Sequence, residues 1–465
     1  MKQMIHSIQV TLGGLAAAFA VTLACAAPAS AQDRATVEGL IYKPMPIAIP
    51  EFNSNSADAK AIATQIAQVV RADLESSAAF RLLAPAAFVQ KDLDISLTPR
   101  FGDWTVIQAQ ALVVGAVAID GSKNMTTQFR LYDVFRNQEL FSQQYSVPTP
   151  ENWRRVAHKV ADDIYTQLTA ESGYFDSRIV FVSEDTSVSP HRRRLAIMDQ
   201  DGANIEHLIS GGDLVQTARF SPNSQTIIYT AVVNDEKNPL IKRTRVFLYD
   251  INSGRRELLS EGSASETKFA ARFSPDGKFV VFSKAEDGNT DLYIFDVARR
   301  GAPRRLTTSP AIDTEPSFSP DGQKIVFTSD RSGTPQLYIM SATGGQTPCS
   351  NGPPADACRL TFNQGRYQTP VWSPRGDWIA FARSEGDHWQ IGVTRPDGTG
   401  ERLLTDAFLD EGPTWSPNGR VIAFARTAAR GAGSKIWTID FSGRNLRQLK
   451  TPNDASDPAW SPLLK

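Results

Sequence analysis

The sequence predicts an α/β N-terminal domain followed by an all-β six-bladed β-propeller closed by pairing of its N- and C-terminal strands. Three observations carry that prediction. One phrase recurs six times: Ala218-Arg219-Phe220-Ser221-Pro222-Asn223, Ala271-Arg272-Phe273-Ser274-Pro275-Asp276-Gly277, Pro316-Ser317-Phe318-Ser319-Pro320-Asp321-Gly322, Pro370-Val371-Trp372-Ser373-Pro374-Arg375-Gly376, Pro413-Thr414-Trp415-Ser416-Pro417-Asn418-Gly419 and Pro458-Ala459-Trp460-Ser461-Pro462. Self-similarity at such a period marks a repeat architecture. Each unit also reads as four short strands with no helical period, which makes one antiparallel blade. Finally, the sixth unit has only its first strand at the end of the chain, and its other three stand ahead of the first repeat as Ile179–Ser183, Leu195–Asp199 and Ile205–Ile209.

The elements follow in chain order. Lys2, the apolar run Val10–Leu23 and the small-x-small pattern Ala29-Ser30-Ala31 make residues 1–31 a secretory signal peptide. Residues 32–172 do not repeat. Ile47–Ile49 reads as a strand, and Ile62, Ile66, Val69, Val70 and Leu74 fall on one helical face. Phe80–Leu83 is extended, and a short helix starts near Asp103 before the strand Leu112–Ile119. Thr126–Phe135 and Glu139–Val147 form a hairpin. Thr149 suits an N-cap with Pro150 as first helical residue, and Trp153, Val156, Val160, Ile164 and Leu168 mark the buried stripe of the last helix. Gly173 closes that helix. This order predicts an α/β sandwich with a mixed sheet.

From 176 to 465 the blades take over. In each, an aromatic strand ends in a Ser-Pro-Asp-Gly type turn, where Pro fixes φ and Gly accepts a positive one. Second strands such as Phe279–Phe282 and third strands such as Leu292–Asp296 follow. Cys349 and Cys358 remain once Cys25 leaves with the signal, and an oxidising compartment would let them pair. Closing so short a loop contributes roughly 2.5–3 kcal/mol in the chain-entropy model. His191-Arg192-Arg193-Arg194 reads as a solvated basic connection between strands.

Composition narrows the function. The 465 residues carry 49 Lys+Arg against 50 Asp+Glu, without the basic excess that nucleic-acid binding needs. Five His and three Cys leave little for a multi-ligand zinc or iron–sulfur centre, so no metal ligand set is assigned. No G-x-S-x-G nucleophile elbow occurs.

A signal peptide, a front α/β domain and six F/W-S-P-D-G units together resemble the TolB family, periplasmic components of the bacterial Tol–Pal system. Thr314-Glu315-Pro316, Leu409-Asp410-Glu411 with Pro413, and the final Pro458–Pro462 carry the likeness. The resemblance implies a monomeric, non-catalytic periplasmic adaptor supporting outer-membrane integrity and invagination during cell division. It further implies that the mouth of the propeller channel binds the peptidoglycan-associated lipoprotein Pal, and that the mature N-terminus binds TolA.

Candidate residues follow. The segment before each first strand sits beside the channel, placing Glu266, Thr267, Lys268, Asp313, Thr314, Glu315, Gln368, Thr369, Asp410, Glu411 and Asp457 at a polar, largely acidic mouth. Thr314 and Glu315 match family positions linked to Pal. At the second repeat, Thr267–Ala271 departs from the family's usual His–Asn–Gly–Ala–Pro run. Converging carboxylates also suit a Ca²⁺ ion. The segment Gln32, Asp33, Arg34, Ala35, Thr36, Val37 and Glu38 is the TolA-binding candidate, as a strand added to a partner's sheet edge. Two other classes stand beside the adaptor: a propeller-bearing hydrolase or peptidase relative, and a propeller that binds a small ligand or sugar in its channel.

Overall fold

The computed structural model describes residues 44–464 apart from positions 92, 190, 210–211, 236–237, 239–240, 261–264 and 351. The signal segment 1–31 and the TolA-binding candidate Gln32–Glu38 lie outside the described residues.

The front part contains strands β1 (Met45–Ala48), β2 (Asn53–Ser54), β3 (Phe80–Leu82), β4 (Ala111–Ile119), β5 (Met125–Asp133) and β6 (Gln138–Val147), with helices α1 (Ala57–Ser76), α2 (Phe101–Thr105) and α3 (Trp153–Thr169). One mixed sheet runs β3-β1-β4-β5-β6, with β2 added on β4. β1 is parallel to β3 and β4, whereas β4, β5 and β6 are antiparallel neighbours joined by short turns. Ile66, Val70 and Leu74 of α1 and Val160 and Ile164 of α3 pack onto Val113 and Phe129 from one face. Trp104 of α2 covers Leu112, Val114 and Tyr132 on the other.

Local caps differ from the sequence reading in two places. Ser56 caps α1, its hydroxyl accepting from Ala59 N–H at 3.2 Å. Thr149 caps nothing: Pro150 opens a single 3₁₀ turn before α3, and the Thr149 hydroxyl bonds the Glu151 carboxylate instead. Ala170, not Gly173, makes the left-handed turn that ends α3, at φ 60°. Gly173 is needed for another reason, since a Cβ there would lie 2.1 Å from Asp162 Oδ1. That carboxylate accepts from Phe175 and Asp176 N–H, at 2.7 and 2.9 Å, and burial raises it to about 7.

Beyond residue 176, four-stranded antiparallel units follow the repeat. Their first strands are Leu214–Phe220, Glu266–Phe273, Asp313–Phe318, Arg366–Trp372, Leu409–Trp415 and Asp454–Trp460. Three units are separate sheets, and the units at 366–403 and 409–448 join through one parallel bridge between Trp389 and Leu409. In the remaining sheet Asp454–Trp460 pairs antiparallel with Arg178–Asp185, followed by Arg192–Asp199 and Glu206–His207. Arg192, Arg193 and Arg194 therefore belong to a strand, not a connection. They stand opposite Asp185, Glu184 and Ser183, where opposite charges favour the pairing. Ser274 shows how the repeated turn works: its hydroxyl donates to Asp276 at 2.6 Å and accepts from Phe279 N–H at 3.0 Å, while Gly277 takes φ 72°. Cys349 and Cys358 are paired, with Cα atoms 5.3 Å apart.

The front part and the propeller share one apolar cluster, in which Ile66, Tyr165 and Phe175 meet Phe181, Ala423, Ile436 and Trp460. Tyr174 meets Trp460 edge to face at 6.0 Å, and the Trp460 indole N–H donates to Ser177 at 2.8 Å. Glu171 takes Arg420, and Asn418 donates to Ser172 C=O at 2.9 Å. Deeper in the joint, His158 Nδ1 lies 2.7 Å from Asp73, whose other oxygen accepts from Gln200 at 2.8 Å. Burial disfavours the imidazolium, but the Asp73 carboxylate and its hydrogen bond outweigh that and raise His158 to about 9. Burial also holds Asp73 above the ordinary carboxylate range, against the pull of His158.

Two outcomes follow. His158 binds its proton more tightly folded than unfolded, so its contribution is complete below about pH 6.5 and fades as pH rises through about 9. Denaturant unfolding of the mature chain will show stability falling across that window, and His158→Gln will flatten the fall. A chain truncated after Leu449 leaves Arg178–Asp185 with an open edge and Tyr174 without its indole. It will unfold at lower denaturant and self-associate, read by light scattering.

Candidate partner-binding channel

The six first strands touch in succession, and Asp454–Trp460 lies against both Leu409–Trp415 and Leu214–Phe220. Between them is a cavity of about 510 Å³. Its wall takes one aromatic from each repeat, Phe220, Phe273, Phe318, Trp372, Trp415 and Trp460, interspersed with the prolines of the Ser-Pro turns.

Each of these strands breaks register at the same place, between Val215/Thr217, Phe269/Arg272, Thr314/Ser317, Gln368/Val371, Glu411/Thr414 and Ser456/Ala459. At the break the backbone turns left-handed in five repeats: Ala270 (φ 53°), Glu315 (58°), Thr369 (49°), Gly412 (62°) and Asp457 (49°). Only Gly412 adopts this freely; for the others it costs on the order of 1–3 kcal/mol each and persists because surrounding bonds hold it. Those bonds are visible. Glu315 N–H donates to Ser283 at 3.0 Å, and the Glu315 carboxylate accepts from Thr369 N–H at 2.7 Å and the Thr328 hydroxyl at 3.2 Å. Asp457 accepts from Ala218 N–H at 3.2 Å and holds Arg219 with two bonds at 2.8 and 2.9 Å.

The sequence candidates divide accordingly. Glu315, Thr369 and Asp457 come together at the repeated break, with Glu411 and Gln368 one residue ahead of it. The Thr369 hydroxyl is buried without a partner. Burial raises Glu315, partly offset by the Thr369 N–H and Thr328 hydroxyl bonds. Burial, then Asp457 and Glu315, raises Glu411. Asp313 and Asp410 are elsewhere: both are wholly enclosed, Asp313 on Arg331 at 2.9 Å and Asp410 on Arg426 by two bonds of 2.7 Å. They brace their own units and offer no free carboxylate. Lys268 is buried between Glu266 and Ser260, each at 2.9 Å. Thr314 and Thr267 lie on first strands, Thr314 opposite Thr328 and Thr267 opposite Ala285.

Sequence reasoning missed Arg219 and Arg272, which line the cavity. The signal was present in the repeated phrase, where four units carry Ser317, Val371, Thr414 or Ala459 at the same position. The cavity wall therefore carries two arginines, and none of the acidic candidates is among its lining residues. Away from the channel, ligand atoms of His158, Asp199 and Asp201 approach within 4.8 Å of one another. Arg154 already bonds both carboxylates, so a cation there would have to displace an arginine.

With this geometry in view, the comparisons are specific. Residues 165–464 match the TolB beta propeller domain and residues 34–140 the TolB amino-terminal domain. The Tol-Pal system protein TolB of Gluconobacter oxydans (strain 621H) is 41% identical over 452 residues, covering 96% of this chain and 92% of the relative. That of Dinoroseobacter shibae is 47% identical over 428 residues, covering 92% of each. Among solved structures, the crystal structure of TolB from Acinetobacter baumannii aligns with a TM-score of 0.76 at 26% identity, over 90% of this chain and 97% of that one. An N-terminal domain joined to a β-propeller with this sequence places the chain in the TolB family.

Proposed function

We propose that the chain is a non-catalytic periplasmic adaptor of the Tol–Pal system. In this reading residues 1–31 direct export, 32–172 form the front domain, and 176–465 form six blades closed into a ring by the strand pair 454–460 and 178–185. The propeller receives the lipoprotein Pal at the channel mouth, and Gln32–Glu38 engage TolA, linking the two membranes during division. The observation that carries it is the repeated left-handed break at Glu315, Thr369 and Asp457, on first strands whose aromatic residues wall the cavity. Strained backbone kept in place by a bonded surround is a mark of a working surface.

The reading uses no cofactor. Asp457 is tied to Arg219 and Glu315 accepts two hydrogen bonds, so little carboxylate charge is left for a Ca²⁺ ion. A hydrolase reading has one pair to build on, His207 Nε2 at 3.2 Å from the Ser183 hydroxyl. Ser183 is buried in a strand, and no carboxylate orients His207 among the described residues. The aromatic lumen favours a small-ligand reading more directly, and a peptide segment uses the same walls.

Calorimetric titration with the soluble domain of a Pal lipoprotein tests the adaptor. Thr369→Gly relieves the left-handed strain and will stabilise the chain by about 1 kcal/mol in denaturant unfolding while weakening Pal binding. Deleting residues 32–42 will abolish TolA capture and leave the propeller folded. Turnover of an esterase or peptidase substrate that disappears on one substitution would overturn the adaptor.

A further inference from the structure

Arg219 and Arg272 occupy the same position in two adjacent repeats, where the other four have small side chains. Their situations differ. Arg219 is committed to Asp457 through two bonds. Arg272 has no hydrogen bond or ion pair to its guanidinium among the described residues. Its surroundings are protein, with a face open to the cavity beside Phe273, Phe318 and Trp372. Burial first, then the like charge of Arg219, pushes it down to about 9, with Asp457 and Glu315 opposing at longer range. A partly buried arginine that faces a cavity, with no acceptor from the protein among the described residues, is a natural seat for an anionic ligand. The two acids nearby cannot serve it, because Arg219 holds Asp457 and the bonds from Thr328 and Thr369 hold Glu315.

Resting on the channel reading above, we propose that Arg272 receives a carboxylate carried by an extended segment of the partner polypeptide that enters the channel. A planar guanidinium matches a carboxylate through two parallel bonds, and the aromatic walls suit the aliphatic stem of a Glu or Asp. A cavity of about 510 Å³ admits a few residues of extended chain, not a folded domain. Glu411, one residue before the break and without an ion pair among the described residues, selects for a basic residue beside that acid.

Two measurements decide the matter on the full mature chain. In the first, arginine Nε–H resonances are followed while sodium acetate replaces sodium chloride at constant ionic strength. One resonance will shift saturably and be absent from Arg272→Gln; no Arg272-dependent shift overturns the site. In the second, a Pal soluble domain is titrated against the wild type, Arg272→Gln and Arg272→Lys, each first checked for an unchanged unfolding midpoint. Arg272→Gln will bind at least about tenfold more weakly, and Arg272→Lys, which keeps charge but loses the fork, will fall between. Equal affinity of all three overturns the partner assignment. Absence of Pal binding by the wild type refutes the adaptor reading itself, and the acetate titration still decides whether Arg272 takes a carboxylate.

Discussion

Apart from the single Trp389–Leu409 bridge, each first strand of the propeller has a sheet neighbour on one side only among the described residues, so its backbone N–H groups on the other edge must find acceptors outside the sheet. Side chains of the adjacent unit provide them. Asp457 takes Ala218 N–H, Glu315 takes Thr369 N–H, Ser317 takes Trp372 N–H at 3.2 Å, and Thr414 takes Trp460 N–H at 3.1 Å. The Trp415 indole answers in the other direction by donating to Val371 C=O at 3.0 Å. Each bond contributes about 0.5–1.5 kcal/mol net, and leaving such a group unsatisfied costs more. Because two of these acceptors are carboxylates at the left-handed break, the bonds that stitch the units together also fix the polar groups at that break. Stability and the geometry of the break draw on one set of contacts.

The joint between the two parts is built differently. There, a polar set formed by Asp73, His158 and Gln200 is buried beside an aromatic stack of Tyr165, Tyr174 and Phe175. Buried ionic groups are weak stabilisers in themselves but penalise any arrangement that separates them. Glu171 on Arg420 and Arg375, and Asn418 on Ser172, add contacts from two of the Ser-Pro turns, so the front part rests on the end of the propeller where those turns lie.

Much of this was legible in the sequence, because repetition amplifies a weak strand signal. The Ser-Pro phrase located the first strands, and the missing strands of the last unit pointed to Ile179–Ser183 and Leu195–Asp199. Helix stripes such as Val156, Val160 and Ile164 were readable from their spacing alone. Caps were less so: Thr149-Pro150 has the composition of a helix start, but the chain spends one 3₁₀ turn first. At the site, sequence singled out Glu315, Thr369 and Asp457, which sit at the left-handed break. It could not separate them from Asp313 and Asp410, whose arginine partners lie on a different stretch of chain, 18 and 16 residues later. Asp73 and His158, 85 residues apart, carried no local signal of their meeting.

The partnership of Asp454–Trp460 with Arg178–Asp185 has a consequence for biogenesis. The earlier segment leaves the ribosome long before its mate has been synthesised, and the aromatic joint around Tyr174 waits for the same late arrival. Contacts spanning so much chain assemble slowly. The polypeptide therefore spends that interval with the edge of Arg178–Asp185 uncovered, and any chaperone that escorts the nascent chain has its natural target in that edge.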